Sequence, residues 1–401
     1  MDLDIISKLN SLEIGKELAG ARKAKGFTQS DVAELLSIAR TTIIAIEKGE
    51  RKLKPSELAH FAEIYGRSVK DFLRKDISLE IQNPQLRFHS SSYELQKEEV
   101  EKLIIELKKL CKNYLELEEI CKFKKIGKTT PTYNIQGIPI NDAAQEISKK
   151  ERVRLELGEL PIPDLRDLLE DKTGLNIFYL PMSFKISGIY SYDRELGGCI
   201  AINSNHPESK RRASLAHEYA HYLENRFSIS VSLEESKKKI PYSELFAERF
   251  AFHFLVPSSA LKSKYYEIKQ STGVFTPRDI VSLAYYFGIS FQAMTYRLES
   301  LDLVARGLYD RLKKNKIKPS EIEQELGIKK EVKVENKFPK QYLRLAMQAY
   351  YDGLISEGSF SKYLELDRID ARDFLEKNKE LYEEPIYGVD LSSKKLEEIG
   401  V

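Results

Sequence analysis

The stretch Leu215-Ala216-His217-Glu218-Tyr219-Ala220-His221-Tyr222-Leu223 decides how the chain is read. On an α-helix His217 and His221 lie one turn apart, so both imidazoles leave the same face and can share a metal ion. Glu218 stands beside them, where a carboxylate can take a proton from an attacking water. Such a site needs a third protein ligand and one open position. The segment Glu244-Leu245-Phe246-Ala247-Glu248-Arg249-Phe250-Ala251-Phe252-His253-Phe254-Leu255-Val256-Pro257 reads as a second, largely buried helix stopped by Pro257, and it holds the candidates. Glu244 and Glu248 share a face one turn apart, and spacing leaves both open. His253 is out of phase with Glu244 and reads as a packed or surface histidine.

The run Cys199-Ile200-Ala201-Ile202-Asn203, the segment from Arg211 to His221 and the pattern Glu244-x-x-Ala247-x-x-Phe250-Ala251-x-x-x-Leu255-Val256-Pro257 together resemble the ImmA/IrrE family of bacterial metallopeptidases. The likeness extends upstream over Ala143 to Phe178. It implies an α+β, zincin-like catalytic domain of the gluzincin type with a small sheet, zinc (Zn2+) on His217, His221 and Glu244, and Glu218 as general base. Glu248 stands where the family usually has Asn or Asp. In this chemistry zinc acidifies water and polarises the scissile carbonyl, while Glu218 carries a proton to the leaving amine. Tyr219, Tyr222, Tyr242 and His253 are candidates for stabilising the oxyanion.

From Ile14 to about Leu73 the apolar spacing predicts four short helices. Gly26 ends the first, Thr28-Gln29-Ser30-Asp31 forms a capping box for the second, a third spans about Arg40 to Lys48, and Pro55 opens the fourth. A short helix presented after a tight turn can enter the major groove of DNA. The segment from Gly15 to Arg51 resembles the XRE/Cro-type helix-turn-helix family along its whole length. The resemblance implies a phosphate contact by Gln29, base or phosphate contacts by Arg40, Thr41 and Thr42, flanking positive charge from Lys48 and Arg51, and a structural ion pair between Arg22 and Glu47. Ile44 and Ala45 stand where polar base-reading residues are common.

The remaining chain divides around these two landmarks. Over 401 residues, 42% are apolar and 31% charged, enough to bury several cores, and a net charge of +2 confines any nucleic-acid binding to a local patch. The expected domains are a helix-turn-helix bundle over 10–76, a linker over 77–137 with a heptad helix at about 95–121, a catalytic domain over 138–263 and a helical region over 264–401. Asn83 to Ser92 and Lys122 to Gly137 read as linkers. In the heptad helix Val100, Leu103, Leu107, Leu110, Tyr114, Leu117 and Cys121 recur at spacings of three and four; this seam fits either a homodimer or a helix docked on the neighbouring domain. Within the catalytic domain Leu175–Leu180, Ile186–Tyr192 and Cys199–Asn203 read as strands, one of which could hold a peptide substrate extended at the sheet edge. Beyond it, two helix-turn-helix outlines read as a helical cap, and the lysine-rich stretch from Lys313 to Lys333, with Pro319 as breaker, as a solvated connector. Cys111, Cys121 and Cys199 are too widely spaced for a Cys-x-x-Cys site and read as reduced thiols.

No run reaches membrane-spanning length and no signal peptide opens the chain, so a cytoplasmic location is expected. These readings combine into a mainly α, multidomain regulator that binds a double-stranded DNA operator and cleaves a protein substrate, a repressor or antitoxin-like partner or the chain itself near Pro131, in response to DNA damage or another stress. The competing reading is a non-proteolytic helix-turn-helix repressor or antitoxin whose zinc site is structural or vestigial.

Overall fold

The computed structural model describes residues 11–24, 27–36, 38–51, 53–65, 93–123, 130–193, 195–226, 230–233, 241–328, 336–379 and 382. The expected helix stop at Gly26, the linker over 83–92 and the end of the lysine-rich connector lie outside them. Two compact units emerge, 1–83 and 84–401.

The first unit holds α1 (Ser11–Ala24), α2 (Gln29–Leu35), α3 (Arg40–Glu47) and α4 (Pro55–Tyr65). Thr28 and Asp31 form the expected capping box at the start of α2. Leu18, Val32, Ile43, Ile46, Leu58, Phe61 and Tyr65 make one small core. Gly15 lets α1 cross α3 at close range: a Cβ there would sit 2.7 Å from the Glu47 carbonyl oxygen. Arg22 closes the same crossing, donating to Glu47 at 2.6 and 3.1 Å.

The second unit begins with α5 (Tyr93–Ile120), α6 (Ile140–Arg154) and α7 (Leu165–Thr173). A four-stranded sheet follows, β1 (Asn176–Leu180), β2 (Ile186–Asp193), β3 (Gly197–Asn203) and β4 (Ser230–Leu233), with α8 (Glu208–Glu224) between its last two strands. The strand order is β1-β3-β2-β4. β1 runs parallel to β3, and the other pairings are antiparallel. The expected strands β1, β2 and β3 are present; β4 was not anticipated, and it forms one edge. At the other edge Tyr179 N–H donates to the Lys337 carbonyl at 3.1 Å, so β1 is partly covered.

Side chains alternate across a strand, and here the two faces serve two cores. Ile177, Tyr179, Tyr190, Ile200 and Ile202 face α8 and α9 (Tyr242–Leu255). That core also takes in α10 (Ser258–Thr272), α11 (Pro277–Phe287), α12 (Phe291–Ser300) and α13 (Leu308–Lys314). Phe178, Leu180, Ile189, Cys199 and Ala201 face the other way, toward α5. After α14 (Pro319–Glu325), α15 (Lys340–Tyr351), α16 (Glu357–Leu364) and α17 (Arg368–Lys377) complete this second core.

The packing decides between the two readings of the heptad and alters three other expectations. Every seam residue of α5 is buried inside the chain, with Tyr114 edge-on to Phe178 and Tyr342 at 6.4 and 5.3 Å. The heptad is therefore a docked helix: an apolar seam packs as well on a sheet as on a second helix. The region beyond residue 264, expected as a helical cap on the catalytic domain, divides its helices between the two cores. Pro319 starts α14 rather than breaking structure, since its missing N–H costs nothing in a first turn. Likewise, Thr130 and Ile135, expected in a linker, are buried. Among the described residues no helix is long and apolar enough to cross a membrane.

Candidate metal centre

α8 is buried along most of its length because Leu215, Ala216, Tyr219, Ala220 and Leu223 pack under the sheet. That burial carries Glu218 and His221 inside with them, at 0% and 3% exposure. Buried polar groups need partners, and α9 brings one. His217 Nε2 lies 3.1 Å from His221 Nε2 and 3.2 Å from Glu244 Oε2, and His221 Nε2 lies 3.4 Å from Glu244 Oε1. Ligand bonds of about 2.0–2.1 Å in tetrahedral array place donors about 3.3 Å apart, so the spacing and the His, His, carboxylate donor set suit one zinc-sized ion. Among the described residues, this is the one group of three or more such side chains whose donor atoms all lie within 4.8 Å of one another.

The electrostatics agree. Burial disfavours charge on Glu244, but hydrogen bonds from His217 and His221 outweigh it and hold the carboxyl well below its usual range. For His221 burial again opposes charge, and Glu244 prevails, raising the imidazole. Ser243 adds an outer contact: its hydroxyl donates to Glu224 at 2.5 Å and lies 3.4 Å from His221 Nδ1. Such a partner fixes the ring so that Nε2 points inward.

Glu244 and Glu248, equivalent by spacing, separate in the structure. Glu244 joins the histidines; Glu248 is exposed and lines a different cavity. Glu218 is held against β2, where Gly188 leaves room for it: a Cβ at that position would lie 2.9 Å from Glu218 Oε1. The strand that flanks this approach on the outside is β4, since Gly188 pairs with Ser232. Three of the proposed oxyanion groups are engaged elsewhere. Tyr219 donates to Glu151, Tyr242 to the carbonyls of Ile135 and Ile138, and His253 is bonded to Asn141 and Arg297. Tyr222 packs against Tyr190 and lies under Arg226.

Residues that carried the sequence pattern take supporting positions. Asn203 ties the end of β3 to the β1–β2 connection, donating to the Ser183 and Ile186 carbonyls at 2.8 Å and accepting from Met182 N–H at 3.2 Å. Arg212 on α8 donates to the Ile162 and Pro163 carbonyls at 2.5 and 3.1 Å.

In the first unit Arg40, Thr41 and Lys48 are exposed on or beside α3, and Thr42 is half-buried. Gln29 donates to Glu47 at 2.8 Å, so its amide extends the Arg22–Glu47 pair. Arg51 is likewise paired, 2.7 Å from Glu57. The arrangement leaves Arg40, Thr41 and Lys48 as the more accessible of the six.

The fold and site thus define a protein with a helix-turn-helix unit and an α+β unit in which two helices bring together a His, His, Glu donor group able to hold a metal ion. Residues 15–76 match a helix-turn-helix domain family, and residues 170–299 match the IrrE N-terminal-like domain of the peptidase M78 family. The chain therefore carries a DNA-binding type of domain and a metallopeptidase-like domain. No curated protein sequence matches it. Among solved structures, the crystal structure of Bacillus thuringiensis PlcR with the peptide PapR7 and DNA shares 13% identity at a TM-score of 0.20, covering 93% of this chain and 100% of that one. ComR from Streptococcus suis shares 12% identity at a TM-score of 0.16, covering 94% and 93%. At such scores neither likeness carries an argument about fold.

Proposed function

We propose that the protein is a transcriptional regulator with a zinc-dependent endopeptidase in the same chain, which binds a double-stranded operator and cleaves a repressor or antitoxin-like partner under DNA damage or another stress. The observation that carries the reading is the convergence of His217, His221 and Glu244 with Glu218 buried beside them. Zinc held by those three donors supplies polarisation of a carbonyl and acidification of water. Glu218 accepts the proton that water loses on attacking the carbonyl carbon. The same carboxyl returns it to the amide nitrogen as the C–N bond breaks. Gly188 positions it by leaving space on β2. The open edge of β4 offers main-chain pairing to an extended substrate; proline placed there should raise KM, and an unchanged KM at every edge position would remove that role.

Cleavage of a separate protein is favoured over self-cleavage near Pro131. Arg226 donates to the Thr130 carbonyl at 2.5 Å and to the Pro131 carbonyl at 3.3 Å, and Tyr133 N–H donates to Leu223 at 2.8 Å, so that segment is tied to the end of α8. For DNA, Arg40, Thr41 and Thr42 at the start of α3 are the proposed groove contacts, with Gln29, Lys48 and Arg51 beside the backbone. The test is a survey of new protein N-termini in cells carrying wild type or Glu218→Gln, before and after DNA damage. Termini found only with wild type would identify the substrate. Identical sets under several stresses would favour a non-proteolytic regulator.

A further inference from the structure

A second polar site lies on the same helix as Glu244, and the metal centre does not use it. A cavity of about 290 Å³ opens between α6, α9 and α12, lined by Asn141, Glu248, Arg249, Phe252, Tyr296 and Arg297, among others. Arg297 is 5% exposed, a charge taken almost wholly out of water. Its Nη2 donates to the Val256 carbonyl at 3.1 Å, to Ser258 Oγ at 2.8 Å and to His253 Nδ1 at 3.1 Å, and its Nε to the same carbonyl at 3.3 Å. Among the described residues no hydrogen bond uses Nη1, and no carboxylate pairs with this guanidinium. Burial, and then the like charge of Arg249, pull its pKa down to about 10, which leaves it charged at neutral pH.

The rest of the lining sharpens the imbalance. Arg249 is exposed and makes no ion pair among the described residues, and Glu248, the one acid on the wall, pairs with neither arginine. His253 cannot add to or offset the charge: burial, then Arg297 and Arg249, hold it neutral, down to about 3, and it is bonded to Asn141 and Arg297. Two guanidiniums that repel each other across a walled cavity are stabilised by an oxyanion between them. Phe252 and Tyr296 offer flat apolar surface beside it, a common make-up for a small-molecule site.

We propose that this cavity binds a small organic anion, with a carboxylate or phosphate head held by Arg249 and Arg297 and its body against Phe252 and Tyr296. The site does not depend on the metal centre or on peptidase activity. It would place an anionic effector on the helix that begins with the Glu244 ligand.

The test is calorimetric titration of the full chain with benzoate, phenyl phosphate and neutral benzamide at constant ionic strength. At least one anion should bind with a submillimolar Kd and benzamide should not; the tighter of the two identifies the head group. Arg249→Gln removes an exposed, unpaired side chain, so the fold should persist by thermal melting, and binding should weaken by about tenfold. Glu248→Gln should tighten it by a few fold. An anion captured only by the metal would respond to neither substitution. Absence of binding by both anions, equal binding of benzamide, or Kd values indifferent to both substitutions would each overturn the proposal.

Discussion

The two faces of the sheet are built from similar residues and end in different things. On one, Tyr179, Tyr190, Ile200 and Ile202 support α8 and α9; on the other, Phe178, Leu180, Ile189 and Ala201 receive α5 and α15. The first face holds buried polar groups because α8 must bury its apolar residues and cannot do so without burying Glu218 and His221 too. His221 then finds partners in His217 and Glu244. The second face has an apolar seam, and its helices pack there through apolar side chains.

This contrast can be broken or sharpened by substitution. The largest effect is expected from His217→Ala, which removes one of three convergent donors: zinc affinity should fall by about a thousandfold or more, measured by competition with a chelator. On the far face, Leu107→Ala should cost about 2–5 kcal/mol in denaturant unfolding and leave zinc affinity of the folded protein unchanged. Should Leu107→Ala instead turn a dimer into a stable monomer, the docked-helix account of α5 would fail. Gly188→Ala should retain zinc yet lower peptidase kcat by about ten- to a hundredfold, because the new methyl displaces the Glu218 carboxylate. Ser243→Ala is expected to weaken zinc binding by about tenfold through loss of the contact that orients His221.

The smallest effect is a pH dependence at the edge of the first core. His253 is held neutral in the fold, with its pKa pushed down to about 3 from the usual 6.5. Below pH 6.5 the unfolded chain therefore binds a proton that the folded chain refuses, so stability falls as pH drops toward 3. About 1 kcal/mol should be lost between pH 7 and pH 5.5. Thermal melting of His253→Gln should show a flatter profile; an identical profile would reassign the acid sensitivity to other groups.

Much of this was legible in the residues, and the gaps have physical reasons. His217 and His221 were readable because one helical turn sets their geometry regardless of what surrounds them. Glu244 was not separable from Glu248 by spacing, since a helix presents both on one side; the resemblance favoured Glu244, and packing of α9 against α8 turns it inward. A three-four apolar repeat describes any helix with one buried face, so the α5 seam could not say whether its partner was a copy or a sheet. Ser230-Val231-Ser232-Leu233 is too short to stand out as a strand, and pairing with β2 makes it one. The pairs that Gln29 and Arg51 make within the fold were not legible because their partners, Glu47 and Glu57, lie eighteen and six residues away. Pro319 is ambiguous by nature, being as good at opening a helix as at ending one.

The most direct measurement is the metal content of the full-length protein, purified after growth with zinc, alongside Glu244→Ala and Glu248→Ala. One zinc per chain in the wild type, lost with Glu244→Ala and kept with Glu248→Ala, is the predicted result. Zinc absent from the wild type, or lost with Glu248→Ala and kept with Glu244→Ala, would contradict the site described above.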